Sequence, residues 1–263
     1  MQELKGAVLQ KGDCLELMKK IPNQSIDLVL CDLPYGTTRN KWDTVIPLEP
    51  LWEQYKRIIK ENGAILLFGQ QPFSSTLVNS NQKMFRYEWV WEKTTATGHL
   101  NAKKMPLKAH ENILVFYKKL PTYNPQITTG HKPVNSYTKH SDDGSNYGKT
   151  KTGISGGGST TRLPRSVQVF STDKQKCSLH PTQKPVALLE YLINTYTNSG
   201  EVVLDNCMGS GSTGVAALKQ GRKFLGMEIE QEYFDIATKR LNDLCAFQSV
   251  SEKRFEIHTN QND

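Results

Sequence analysis

Two short stretches carry side chains that could do chemistry. The first is Asp32-Leu33-Pro34-Tyr35, which follows directly on the apolar run of residues 26–31. Such a run reads as a buried β-strand, and α/β proteins bind ligands beyond the carboxyl ends of their strands. A carboxylate and an aromatic ring placed there could accept a hydrogen bond from a substrate and stack on it. The same residues would also build an ordinary turn, since Asp, Pro and the following Gly36 are turn formers and a tyrosine commonly covers a core. Taken alone, the stretch leaves both readings open.

The second stretch is "LDNCMGSGSTG", residues 204–214, a glycine-rich turn between an apolar run and a helical pattern. Gly209 and Gly211 remove side chains where the chain turns tightly and the backbone can approach a ligand at a helix N-terminus. Gly209, Gly211 and Gly214 also fit G-x-G-x-x-G, and Glu228 ends the next apolar run, where a carboxylate can bind ribose hydroxyls. An adenosine-containing cofactor fits this pattern. A P-loop does not, because no Gly-Lys-Ser/Thr follows. Between a nicotinamide dinucleotide and S-adenosylmethionine, the opening residues Asp205-Asn206-Cys207-Met208 favour the latter: a carboxylate there repels pyrophosphate and suits an amino acid bearing an ammonium group. A glycine turn that binds nothing is the third reading.

These stretches need elements to position them. Residues 7–10 read as a short strand and 14–20 as a helix. Leu48, Leu51, Trp52, Tyr55, Ile58 and Ile59 recur at helical spacing before Asn62-Gly63, and residues 64–69 read as a buried strand. A helix over 71–80 and strands over 85–93 and 112–118 follow, a β-α-β-α-β rhythm that predicts a parallel sheet. Periodicity vanishes between residues 119 and 176, where Pro121, Pro125, Pro133 and "DDGSNYGKTKTGISGGGSTTR" have loop composition. It returns with a helix after Lys184, strands over 201–205 and 223–229, and helices over 212–220 and 232–247. The expected organisation is a first half over residues 1–118, an insertion over 119–176, a second half over 177–248 and a polar tail over 249–263, in which 254–259 could form an edge strand. Trp42, Trp52, Trp89 and Trp91 read as core residues rather than base-stacking groups.

The chain has 263 residues, enough for one α/β domain with an insertion, and a formal charge of +7. Residues 93–176 hold 14 Lys/Arg against 4 Asp/Glu, so one segment carries the positive charge. That segregation fits a polyanion, with nucleic acid the leading candidate, although a solvated lysine-rich loop has the same composition. The five cysteines are scattered and contain no C-x-x-C, and Cys177-x-x-His180 has no second ligand pair, so no metal site is expected. No run approaches the ~18 apolar residues of a membrane span. The opening residues lack a secretory pattern, which makes the cytoplasm the expected location.

Together, Asp32-Leu33-Pro34-Tyr35, His180-Pro181-Thr182-Gln183-Lys184-Pro185, residues 204–214 and Phe224-Leu225-Gly226-Met227-Glu228 resemble the β-class DNA amino-methyltransferases in both motif and order. The resemblance implies a Rossmann-like, circularly permuted S-adenosylmethionine-dependent methyltransferase fold with a mostly parallel sheet, its basic target-recognition insertion falling over residues 119–176. It implies that the strands ending at Asp32 and Asp205 lie side by side at a topological switch point. DNA, as a duplex, is the implied partner; a homodimer and a cognate restriction enzyme are compatible with the resemblance but not read from it.

By the same resemblance Asp32, Leu33, Pro34 and Tyr35 form the catalytic tetrad. An adenine flipped from the duplex, at a cost of a few kcal/mol, would stack on Tyr35. Its amino group would donate to Asp32 and to the backbone carbonyl of Leu33, and the methyl would transfer by direct displacement, dominated by positioning. Leu33 stands where the family usually has a second proline; the carbonyl survives, and some rigidity is lost. Asp rather than Ser at position 32 points to adenine rather than cytosine. Asp205, Gly209 and Gly211 fall to the cofactor's methionine end, with Asn206 and Cys207 of the same turn, Glu228 to its ribose, and His180, Thr182 and Lys184 to a motif flanking the cofactor. Asp13 would reach the adenosine or serve as a simple turn acid. Methylation of cytosine or of RNA, a nicotinamide-dependent oxidoreductase and a non-catalytic DNA-binding module are the competing functions.

Overall fold

The structure is a computed structural model and describes residues 1–36, 44–138, 155–172 and 183–259, with side chains described to residue 247. In chain order the elements are β1 (Gln2–Leu4), β2 (Ala7–Lys11), α1 (Cys14–Met18), β3 (Ile26–Cys31), α2 (Leu48–Ile58), β4 (Ile59–Gly69), α3 (Phe73–Ser80), β5 (Phe85–Thr97) and β6 (Lys108–Phe116). They continue with β7 (Tyr137–Thr138), β8 (Ser155–Gly156), β9 (Val167–Phe170), α4 (Val186–Tyr196), β10 (Val202–Asp205), α5 (Ser212–Lys219), β11 (Lys223–Glu228) and α6 (Gln231–Thr259). The chain divides into two compact units, Met1–Asn124 with Ser166–Asp263, and Pro125–Arg165.

The larger unit is built on a sheet ordered β1-β2-β11-β10-β3-β4-β6-β5-β9. Side chains leave its strands toward the two faces in alternation. Leu28 and Leu30 of β3 and Ala64, Leu66 and Phe68 of β4 join α4, α5 and α6 in one core. Val29, Cys31, Ile65 and Leu67 join α1, α2 and α3 in the other. A strand buried on both faces has no polar side, which is why these strands read as continuous apolar runs. Trp52, Trp89 and Trp91 are buried in these cores, whereas Trp42 lies outside the described residues. No helix among the described residues is long and apolar enough to cross a membrane.

Three features depart from the expected layout. β6 runs antiparallel to both β4 and β5. No α-helix separates β5 from β6, and a link that short can only return the chain as a hairpin. β9 adds an edge strand parallel to β5 from within the region expected to be patternless. The expected edge strand over residues 254–259 is instead helix, because α6 continues to Thr259. Glu252, Lys253, Arg254 and Glu256 are good helix formers and no glycine or proline stops the run, so elongation of an existing helix wins over a new strand.

In the smaller unit, β7 and β8 pair antiparallel, with Tyr137 opposite Gly156. Thr128 and Arg162 bridge by backbone hydrogen bonds of 3.1 and 2.9 Å. The Arg162 guanidinium donates to the carbonyls of Ser159, Thr161 and Lys132. With so little regular ladder, side-chain-to-backbone bonds of this kind satisfy carbonyls that a sheet would otherwise pair.

Candidate active site

β10 lies beside β3 and parallel to it, with Val203 opposite Leu28 and Leu204 opposite Val29. From this pair the chain departs in opposite directions, to β4 on one side and β11 on the other, which makes the pair a topological switch point. Asp205 ends β10 and Asp32 follows β3, so both open on the same edge of the sheet. Tyr55 of α2 donates its buried hydroxyl to Asn206 Oδ1 at 2.6 Å, tying the first half of the chain to the turn of the second.

Asp32 heads a buried chain of charges. Its Oδ1 accepts from Tyr35 Oη at 2.7 Å and its Oδ2 from Lys184 Nζ at 2.5 Å. Lys184 also lies 3.1 Å from Glu111, whose other oxygen is 2.5 Å from Lys93 Nζ. Two carboxylates and two ammonium groups cancel, which is how a cluster this dry avoids the cost of an unpaired charge. The Lys93, Glu111 and Lys184 side chains are 6%, 9% and 10% exposed, and Asp32 is 23% exposed, so Asp32 is the end that faces out. Burial pushes the Asp32 carboxyl up, against the opposing pull of Lys184. Burial would also raise Glu111, but Lys184 and Lys93 together outweigh it and hold that group below its ordinary value. Lys184 is raised by its two carboxylates in spite of burial and stays protonated.

A carboxylate offers about four acceptor positions. Two of those on Asp32 are taken, which leaves capacity for a donor from outside. The Tyr35 ring stacks on Phe73, centroids 4.9 Å apart and planes 29° from parallel, so at most one face of it is left for a planar ligand. Leu33 is buried and Pro34 half-buried.

In the glycine turn, Gly209 and Gly211 both adopt positive φ, 49° and 78°. Gly214 has another purpose: a Cβ there would come within 2.6 Å of the Phe224 ring, so this glycine lets α5 pack on β11. Glu228 is buried at the end of β11, one oxygen accepting from Gly209 N at 2.8 Å and the other from Ile229 N and Glu230 N at 2.9 Å. Asp13 caps α1 by accepting from Leu15 N at 2.7 Å, beside the backbone bond from Gly12 N to the Glu228 carbonyl. It therefore acts as a turn acid and stands at the same sheet edge. Asp205 accepts from Cys207 N at 3.1 Å, and burial pushes its carboxyl up to about 6. The Cys207 sulfur accepts from Asn206 Nδ2 at 3.5 Å. Asp205 has no salt-bridge cation among the described residues. This buried carboxylate, the positive-φ glycine turn and a second carboxylate at the next strand end fit an amino acid ammonium and ribose hydroxyls.

The family model described as DNA methylase matches residues 26–239. The chain belongs to this family. Among curated proteins, the DNA adenine methyltransferase YhdJ of Escherichia coli (strain K12) is 29% identical over 262 residues, covering 92% of this chain and 84% of that protein. Among solved structures, the M1.HpyAVI–SAM complex superposes with a TM-score of 0.60 at 24% identity, covering 90% of this chain and 99% of the other. The PvuII DNA methyltransferase (cytosine-N4-specific) gives 0.66 at 14% identity and covers 92% of each. These likenesses place the fold among DNA methyltransferases.

In this DNA methylase Lys184, expected beside the cofactor, is bonded to Asp32 and Glu111. His180 and Thr182 lie outside the described residues. Glu111, Lys93, Phe73 and Tyr55 were not singled out from the sequence as site residues. For two of them the signal exists in strand parity. Trp89 and Trp91 on β5, and Ile113 and Val115 on β6, face the core, and Lys93 and Glu111 continue the same alternation on the paired strands. A lysine and a carboxylate both in the core register of neighbouring strands imply a buried pair.

Proposed function

We propose that this protein is an S-adenosylmethionine-dependent DNA methyltransferase that modifies the N6 amino group of adenine at specific sites, after the base has been flipped from the duplex. The observation that carries this reading is the common sheet edge of Asp32 and Asp205: a carboxylate ready to accept from an amino group beside a turn fitted to an amino-acid cofactor. The relationship to YhdJ, named as an adenine enzyme, supports the choice of base.

When bound, the cofactor supplies an electrophilic methyl group. Asp205 would hold its ammonium and Glu228 its ribose, with Gly209 and Gly211 admitting it close to the backbone. Asp32 would accept a hydrogen bond from the adenine amino group and turn the nitrogen lone pair out of the ring plane, assisted by the Leu33 carbonyl. Lys184 offsets part of the burial that raises the Asp32 carboxyl, and it divides its charge between Asp32 and Glu111, which Lys93 also holds. Tyr35, oriented by its bond to Asp32 and backed by Phe73, would stack one face on the base.

Nucleoside digestion and mass spectrometry of DNA from cells expressing the protein are expected to show N6-methyladenine. N4-methylcytosine in its place would overturn the base assignment, and neither product would overturn the reaction. Duplex binding should also be steeply salt-dependent. If about six cations of residues 93–176 meet phosphates, affinity is expected to fall on the order of a thousandfold between 50 and 200 mM salt. A flat dependence would remove that segment from the interface.

A further inference from the structure

The β5–β6 hairpin outruns the sheet that carries it. Phe68 of β4 is opposite Ile113 of β6, which is opposite Trp89 of β5, and Asp32 stands level with this row, one residue past the pair Cys31 and Leu67. β4 stops pairing at Gly69 with Asn112, and β9 stops at Phe170 with Lys93. Beyond those pairs the hairpin continues as two strands alone, to Thr97 opposite Lys108. β5 is irregular between Glu92 and Thr97, so the reach is set by β6: at about 3.3 Å per residue the run from Ile113 to Lys108 carries the hairpin up to roughly 17 Å past the level of Asp32, on the side where the site opens.

What this ribbon presents is unusual for a surface bathed in water. Between Thr94 and His110 there is no Asp or Glu, while Lys103, Lys104 and Lys108 are present and exposed. At the tip Leu100 is 102% exposed, with Met105 52% and Leu107 37% exposed behind it. The tip is held in shape. Gly98 takes φ 92° to start a 3-10 turn over His99–Asn101, and Asn101 accepts at its carbonyl from Lys104 N at 2.8 Å and Met105 N at 3.0 Å. A leucine fixed at the end of an ordered, cationic projection gains nothing within this molecule.

Resting on the DNA reading above, we infer that this hairpin is a groove arm for duplex DNA, its lysines meeting flanking phosphates while Leu100 presses into the base stack next to the extruded base. The major groove, about 12 Å wide, admits a two-stranded ribbon. Apolar side chains that enter a base step partly unstack it and hold the duplex deformed. Extruding a base from a matched duplex costs a few kcal/mol, and costs least where pairing is already broken. A wedge therefore matters for matched duplex and is dispensable for a pre-opened one.

The test compares wild type with Leu100→Ala on a matched duplex containing a methylated site mapped from host DNA, and on the same duplex with an abasic position opposite the target base. Leu100 is fully exposed, so its truncation should leave folding intact. The expected result is at least a tenfold loss on the matched duplex with the pre-opened duplex methylated at the wild-type rate, and a matching loss of 2-aminopurine fluorescence at the target position. Equal loss on both substrates, or no loss on the matched duplex, would overturn the arm while leaving the methyltransferase reading standing. Failure of the wild-type protein to methylate either substrate would overturn both.

Discussion

Replacing Asp32 with asparagine is expected to slow methyl transfer about a thousandfold, the scale on which loss of one preorganised electrostatic contact at a reacting atom is felt. The affinity for cofactor should stay within a few-fold. Positive charge develops on the amino nitrogen as the methyl arrives, and a carboxylate opposes it where an amide cannot. The introduced amide could still accept from Tyr35 or from Lys184, but from only one of them through its single oxygen, and Lys184 would keep Glu111 at 3.1 Å. The fold should therefore survive, which thermal unfolding checks, while single-turnover rates report the chemistry. A second variant separates charge from shape. Lys184→Gln removes the cation bonded to Asp32 and leaves Lys93 to Glu111, so the Asp32 carboxyl, already raised by burial, should rise further. An ionised Asp32 then requires higher pH, and the acid limb of the rate profile is expected to move upward. A wild-type rate in Asp32→Asn, or an acid limb that moves downward in Lys184→Gln, would remove Asp32 from the reaction.

The parts of this site that depend on strand ends were legible in the sequence, and the parts that depend on which side chain meets which were not. The runs ending at Asp32, Asp205 and Glu228 are apolar because each strand is buried on both faces, and their terminal carboxylates stand out for that reason. Lys184 shows the opposite case. Its motif was recognisable, but its partner is chosen by the placement of α4 against β3, which no local pattern encodes. Asp13 was ambiguous because a helix cap and a ligand contact demand the same residue type. The overhang of β5 and β6 was missed because Thr94 to Leu107 alternate nothing: a ribbon exposed on both faces has no hydrophobic period to read.

Asp205 carries the other large expected effect, and it has two opposite signs. Its carboxyl stands at about 6 in the folded protein, against about 3.9 for an unperturbed aspartate. A folded-state value above the unfolded one means that the folded protein takes up the proton first. The stability gained is present in full below about pH 4 and is lost as pH rises through 6. At neutral pH the protein without cofactor thus holds a buried charge at a cost of up to about 3 kcal/mol. Asp205→Asn keeps an acceptor for Cys207 N and removes the charge. The variant is expected to melt several degrees higher than wild type at pH 7.5, with the difference vanishing toward pH 4, in thermal scans without cofactor. It should also bind S-adenosylmethionine 10- to 100-fold more weakly, because a charge-assisted bond to the ammonium is worth roughly 1.5–3 kcal/mol. Wild-type affinity should weaken as pH falls below 6, as the carboxylate is neutralised, and the variant's affinity should show no such step. Calorimetric titration across pH 5 to 8 measures this directly. A variant that loses stability at every pH and still binds cofactor like wild type would mean that Asp205 is a structural acid. The expected pairing of gain and loss follows from one physical fact: the site keeps a carboxylate dry so that an incoming cation, rather than water, neutralises it.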